Sequence, residues 1–517
     1  MVQAESTDIP LYEQPEIHQR RWFLLGILCL SLVMVVMSVS GLNVALPEIQ
    51  RSLDASATDL QWIVDSYAIV FAGLLLTAGA IGDRFGRKKA LLGGLLIFGL
   101  GSIVGATSDT ATGVIVARVV MGVGAAFIMP ATLSLLSVIF PPEERGKAIA
   151  IWAGLAGAGG ALGPIIVGFL LTDWWVFPAY WWGSAFLVNV VTAVLVLAAV
   201  AMYAPWSRDE EEHPLDPVGA LLSLVGLASL LYGIIEGPNK GWSSGHVLTA
   251  FLIAVVGLTA FVFWELRRDS PMLPMEFFRI RRFSVGSGVI TFAFMVMFGF
   301  FFLITQYYQL VRGYSPLKAG LSNLPLAFAM IMVAPRSAAL GERIGVYRMM
   351  TFGFGSMVAG LVVFGLLEPT SNYLLIVLGL LLLGAGMGMT GAPATGAIMS
   401  AVPMTKAGVG SAVNDTTREV GGALGIAALG AITTSIYRST FNADGLPADV
   451  AAAASESVGA AVSVGKGVGG EQGAAIIATA GSAFTDAFTT TMFVAAAIAF
   501  LAGVAVHFVG GGRSHTN

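Results

Sequence analysis

The sequence has very little charge: only 11% of its 517 residues are Asp, Glu, Lys or Arg, against 56% hydrophobic. A water-soluble globular chain covers its surface with far more charge, so that class is excluded. The single cysteine, Cys29, rules out a disulfide within the chain and reads as a buried free thiol. The five histidines, at 18, 213, 246, 507 and 515, show no metal-ligand spacing. No phosphate-binding glycine loop closed by Lys-Ser or Lys-Thr is present, so ATP does not drive the protein directly. Two glycine patterns lack the context that their chemistry needs. Gly241-Trp242-Ser243-Ser244-Gly245 has no strand before it, and Gly386-Met387-Gly388-Met389-Thr390-Gly391 sits inside an apolar helix pattern.

What the chain does have is a series of apolar blocks of roughly 20 residues, the length of a helix that crosses a bilayer. Fourteen spans are expected, at 22–46, 59–82, 88–107, 113–139, 147–171, 180–203, 217–236, 246–266, 283–310, 316–341, 348–368, 373–400, 411–437 and 483–508. The polar start, with Glu5, Asp8, Glu13 and Glu16, precedes an apolar block too long for a signal-peptide core, so the first span is expected to be retained. Fourteen spans put both termini on one side. That side carries 18 of the 27 Lys and Arg and the other carries 6, while Arg118, Arg336 and Arg418 fall within or at the edge of spans. The positive-inside rule then places both termini in the cytoplasm and the chain in the cytoplasmic membrane. Residues 204–216 read as a cytoplasmic linker and 438–482 as an outer loop, either a short amphipathic helix or mobile. Trp174, Trp175, Trp181 and Trp182 read as interfacial anchors.

The chain contains itself twice. Gly82-Asp83-Arg84-Phe85-Gly86 recurs as Gly341-Glu342-Arg343-Ile344-Gly345, Gly159-Gly160-Ala161-Leu162-Gly163 as Gly421-Gly422-Ala423-Leu424-Gly425, and Pro130-Ala131-Thr132 as Pro393-Ala394-Thr395. The offsets are nearly equal. They imply two six-helix halves of the same orientation, 1–203 and 283–517, joined by a segment 204–282 that holds two extra helices. The repeat also isolates charges found in one half only. Ala153, Ala156 and Gly157 become Asp415, Arg418 and Glu419, and Arg118 meets Leu380 or Leu381. Those unshared charges are the better functional candidates.

The segment Gly79 to Lys89, with Gly82, Asp83, Arg84, Gly86 and Arg87, closely resembles the loop signature of the major facilitator superfamily. The resemblance implies that this cluster latches the cytoplasmic side in the outward-open state. Gly159, Gly163 and Pro164, with Gly168 beyond, resemble the span-5 motif of that superfamily's drug antiporters, although Val167 replaces a glycine. The motif implies close helix packing, a bend and export. Ile115 to Gly122, around Arg118, resembles the span-4 motif. Asn43-Val44-Ala45-Leu46-Pro47, Leu60 to Tyr67, and Trp181 to Asn189 resemble the fourteen-helix drug:proton antiporter branch. Ser38 and Met330 stand where many or some members of the branch carry acids linked to cationic drugs, which weakens the case for export of polyvalent cations.

The resulting expectation is an all-α integral membrane protein with the major facilitator fold. Its function is multidrug export by proton antiport, with no enzyme activity and no cofactor. The alternative is a dedicated proton-coupled exporter of one metabolite, lipid or antibiotic. A membrane receptor or enzyme is the rival from another class, and no soluble sensing domain is visible in the sequence. Expected partners are small amphipathic or hydrophobic substrates, protons and membrane lipid, with no nucleic acid, and the protein is expected to be a monomer. Asp415 and Arg418 are assigned to a structural pair at a spacing of three, and Glu419 to proton or cation exchange. Asp65, partnered by Arg118, is the next candidate for exchange. Asn43, Gln306, Tyr307 and Gln309 are expected to line the substrate cavity.

Overall fold

The computed structural model describes residues 10–172, 181–207, 216–269, 271, 273–402 and 407–511, and among them no strand occurs. The first six helices are α1 (Pro15–Leu53), α2 (Ala57–Phe85), α3 (Arg87–Ala106), α4 (Ala111–Ile139), α5 (Pro142–Leu170) and α6 (Ser184–Tyr203). A hairpin follows, α7 (Pro217–Lys240) and α8 (Gly245–Arg267). The rest comprises α9 (Arg281–Gln306), α10 (Pro316–Leu321), α11 (Leu324–Ile344), α12 (Val346–Gly365), α13 (Tyr373–Ser400), α14 (Ala407–Thr440), α15 (Ala448–Glu456), α16 (Val458–Val468) and α17 (Gly470–Gly511).

Every expected span falls on a helix. Among the described residues twelve helices, counting Pro316–Ser337 as one, are long and apolar enough to cross a membrane, or thirteen if the bent α2 counts as a single span. The protein is thus a multi-pass membrane protein. The expected span 147–171 corresponds to α5, which is not among those thirteen. The span 316–341 is interrupted at Ser322 and Asn323, because Pro325 cannot continue α10 and instead opens α11. Of the two readings of 438–482, the structure takes the helical one: α14 runs on to Thr440, α15 and α16 follow, and α17 begins at Gly470. Between them Ser457 caps α16 by accepting from the Ala460 amide at 3.2 Å, and Gly469 ends it at φ 67. Gly465 and Gly473 let α16 lie back against α17.

Local chemistry explains the shared turns. Ser56 and Asp59 form a reciprocal capping box at the start of α2. The repeated glycines make the same junction in both halves: Gly86 at φ 117 joins α2 to α3, and Gly345 at φ 101 joins α11 to α12. A side chain at either position would be strained. Packing repeats as well. In the first half α1 lies on α5, α2 on α4, and α3 on α4 and α6. In the second half α9 lies on α14, α11 on α13, and α12 on α13 and α17.

The two halves meet along α2 and α14 and along α5 and α10. These meetings lie at the end of the bundle opposite the chain termini, here the far side. At α5 the Pro164 carbonyl touches Gly320, and a Cβ at Gly168 would lie 2.8 Å from the Pro316 carbonyl. Residues 208–215 of the expected linker, and Trp174 and Trp175, lie outside the described residues. Trp182 is not an interfacial anchor: it is buried, edge-on to Phe186 at 6.1 Å.

Candidate functional site

The helix α14 carries three of the candidate charges, Asp415, Arg418 and Glu419, within about one turn. Arg418 Nη1 lies 3.6 Å from Asp415 Oδ1 at the expected spacing of three. Asn414 Nδ2 donates to the same oxygen at 3.4 Å, and Asn414 Oδ1 accepts from Thr395 Oγ1 of α13 at 3.0 Å. The Arg418 guanidinium sits over the Phe294 ring of α9 at 5.0 Å. Glu419 is 8% exposed, and its Oε2 has no hydrogen-bond partner. A buried carboxylate oxygen without a donor is costly in a fixed structure, and a group that must exchange its partner is a reason for one to persist.

Across the interface, Asp65 of α2 and Arg118 of α4 are both 0% exposed. They do not pair. Arg118 Nε donates to the Ile63 carbonyl at 3.0 Å, and the guanidinium lies over the Tyr67 ring at 4.1 Å. Residues 63 and 67 are one turn apart on the α2 face that meets α4. Asp65 lies about 200° around the helix from Ile63, at 100° per residue, so the expected partnership fails on geometry. Both Asp65 oxygens and both terminal nitrogens of Arg118 lack hydrogen-bond partners. Helical spacing puts Asp65 on one stripe with Gln61, Ala68 and Ala72. That stripe faces α14: the Gln61 side chain reaches into the space beside Gly430, and Ala68 packs with Ala423 and Ala427.

The cavity candidates separate. The end of α9 winds into a π-helical turn, Tyr307–Val311, so the side chains after Gln306 leave the α-helical register. Gln309 Nε2 then crosses to α1 and donates to the Val44 carbonyl at 2.8 Å, leaving Oε1 unpartnered. Asn43 beside it is buried. Its Nδ2 bonds the carbonyls of Val39 and Ser40 at 3.3 and 3.5 Å, and its Oδ1 is unpartnered. Asn43 and Gln309 are thus brought together at the junction of the halves. Gln306 donates to Phe302 of its own helix at 3.2 Å. Tyr307 turns into the second half, stacking on Phe488 at 5.3 Å and donating to the Glu368 carbonyl at 2.8 Å. The π turn has no signature in the sequence.

The gating candidates of the loop pack against α4, and those of α5 against α1 and α10. Asp83 Oδ1 accepts from Arg87 Nε at 2.9 Å and from Ser134 Oγ of α4 at 2.7 Å. Gly82 and Gly86 build the turn, and the Arg84 guanidinium lies 5.5 Å from the Phe85 ring. At Gly163 a Cβ would lie 2.8 Å from the Gly41 amide and 2.9 Å from the Met37 carbonyl of α1. At Gly159 it would lie 3.3 Å from Val33. At Gly425 of the second half a Cβ would overlap the Met295 carbonyl of α9, so glycine knits the first and fifth helices of each half. Sequence reasoning missed the far-side bridge in which Gln50 of α1 donates to Ser457 Oγ, the cap of α16, at 3.0 Å. It also missed the contact of Trp62 Nε1 with Glu236 Oε1 of α7 at 3.4 Å. Among the described residues no cluster of metal-ligating side chains occurs.

The profile of the Major Facilitator Superfamily matches residues 28–426. Multidrug resistance protein Stp of Mycobacterium tuberculosis (strain CDC 1551 / Oshkosh) is 34% identical over 412 residues, 80% of this chain and 75% of that protein. Multidrug efflux pump LfrA of Mycolicibacterium smegmatis is 32% identical over 489 residues, 94% of this chain and 96% of that protein. In fold, the chain is similar to a bacterial homolog of the human lysosomal transporter Spinster, solved inward-facing and unoccupied. The TM-score is 0.67 at 16% identity, covering 96% of this chain and 99% of that one.

Proposed function

This chain belongs to the major facilitator superfamily, and on that premise we propose that it is a secondary active multidrug exporter, exchanging drug-like molecules for protons across the cytoplasmic membrane. Export of structurally varied drugs is supported by relatives that carry multidrug names over most of both chains. The Lys and Arg bias supports cytoplasmic termini, which makes the far side the outer face. On this orientation the meeting of the halves at the far side supports a state open to the cytoplasm. The substrates are small and amphipathic or hydrophobic, and the protein works as a monomer surrounded by lipid.

The observation that carries the coupling is buried Glu419, whose Oε2 has no partner, next in sequence to Arg418 and one helical turn from Asp415. Ser38 occupies the place of a family acid in α1 and is turned back on its own helix, donating to the Val35 carbonyl at 2.9 Å. Coupling therefore falls to α14, with Asp65 of α2 as the second carboxylate. In the cycle, Glu419 holds either a proton or the polar group of a substrate. A proton from outside displaces substrate, and its release inside resets the site. Arg118 fixes α4 on α2, Asn43 and Gln309 line the junction of the halves, and Gly159, Gly163 and Pro164 guide the rocking of α5. Uptake into proteoliposomes under an imposed pH gradient, with a panel of cationic and neutral drugs, tests the reading. Uphill movement of several unrelated drugs supports it. Movement of one compound class alone would make this a dedicated exporter, and no gradient dependence would remove proton coupling.

A further inference from the structure

The hairpin α7–α8 has no counterpart in the repeat, and its contacts are unequal. Against α2 it is fastened along most of its length. Gly73 of α2 admits Leu224, whose Cδ1 would lie 3.0 Å from any Cβ there. Ala68 and Ile69 pack with Leu231 and Ile235. At the far side Trp62 donates to Glu236 at 3.4 Å and rests against the Tyr232 ring at 6.2 Å, and Asn239 Nδ2 donates to Thr58 Oγ1. Lys240 holds this end rigid, 3.4 Å from Glu236 Oε2 and donating to the Tyr232 hydroxyl at 2.7 Å.

Against α14 the directed contacts are fewer. Among the described residues the directed contact is Arg438 Nη1 with the Pro238 carbonyl, at 3.3 Å. Elsewhere the α14 face is apolar, with Val420, Ala423, Leu424 and Ala427. A small crevice opens at this seam, lined by Ile69 and Ala72 of α2, Leu227 and Leu231 of α7, and Val420 and Leu424 of α14. Apolar packing is non-directional, so a seam with few directed bonds parts or shifts more readily than one pinned by several.

We infer that the inserted hairpin is a mechanical part of the first half, docked there by Trp62 and Thr58, and that the α7–α14 seam is the plane that slips when the far side opens. The inference rests on the alternating movement of the halves set out above. It gives Trp62 a docking role and makes Arg438 a release point of the outer gate.

The test uses the full chain with Cys29→Ser, which leaves no native thiol. Three pairs are linked by a reducible bis-methanethiosulfonate reagent: Thr58→Cys with Asn239→Cys, Pro238→Cys with Arg438→Cys, and Gln61→Cys with Gly430→Cys as a control across the halves. The α2–α7 link is expected to leave the transport rate of the unlinked variant unchanged. The α7–α14 link and the control are expected to stop transport until reduced. Full transport by the linked control would refute movement of the halves itself. A stopped control together with a stopped α2–α7 link, or with a freely transporting α7–α14 link, would overturn the hairpin assignment alone. Spin labels at exposed sites give a second readout that does not disturb the packed contacts. The Ser243→Cys to Ser52→Cys distance should stay fixed between acidic and alkaline pH, while Ser243→Cys to Glu368→Cys should shift. The reverse pattern would overturn the inference.

Discussion

Arg418 reaches back 3.6 Å to Asp415, and Glu419, the next residue along α14, is left with its Oε2 buried and unpartnered. Glu419→Gln is therefore expected to keep binding of neutral drugs and lose uphill transport driven by a pH gradient. Substrate-induced proton release from purified protein is the decisive measurement. Release that persists in Glu419→Gln and vanishes in Asp65→Asn would move the coupling site to α2.

The turn at Gly86 tests the loop between α2 and α3. With φ at 117, Gly86→Val forces a β-branched residue into a region it avoids, at a cost of about 1–3 kcal/mol. Asp83→Asn removes the charge that accepts from Arg87 and Ser134. Each variant should insert normally and lose about tenfold or more in efflux, about 1.4 kcal/mol of effect. Near-parental efflux by well-expressed Asp83→Asn would refute a gating role.

At Gly163 even a methyl group meets the Gly41 amide and the Met37 carbonyl. Overpacking of this kind costs roughly 1–3 kcal/mol, so Gly163→Ala should lower the thermal midpoint, and Gly163→Leu should block transport. Pro164→Leu should block it as well, since leucine supplies the backbone N–H that proline lacks and removes the cause of a bend inside α5. Parental rates in either leucine variant would show that α5 is not a close-packed hinge.

Arg118→Lys separates charge from geometry. Lysine cannot donate from an Nε to Ile63 while lying flat on Tyr67, so stability should fall by about 1–3 kcal/mol although the charge is kept. Thermal unfolding in detergent reads this directly. An unchanged midpoint would mean that the arginine serves only by its charge.

The sequence by itself determined most of the spans and the two-fold repeat, because bilayer thickness fixes the length of apolar runs and the repeated motifs make the same junctions in both halves. It also determined the Asp415–Arg418 pair, since a spacing of three on one helix is a local fact. The glycines at 86 and 345 declared their turns in the same way. Tertiary structure decided what depends on which helix faces which. It set Arg118 on the Ile63–Tyr67 face and Asp65 on the opposite one, turning an expected ion pair into two separate buried charges. It unwound the end of α9 into a π turn that sends Gln309 to Val44, folded residues 448–468 into two helices, and docked α7 on Trp62. None of these follows from local propensity, because each contact joins residues far apart in the chain or depends on how one helix is rotated against its neighbour.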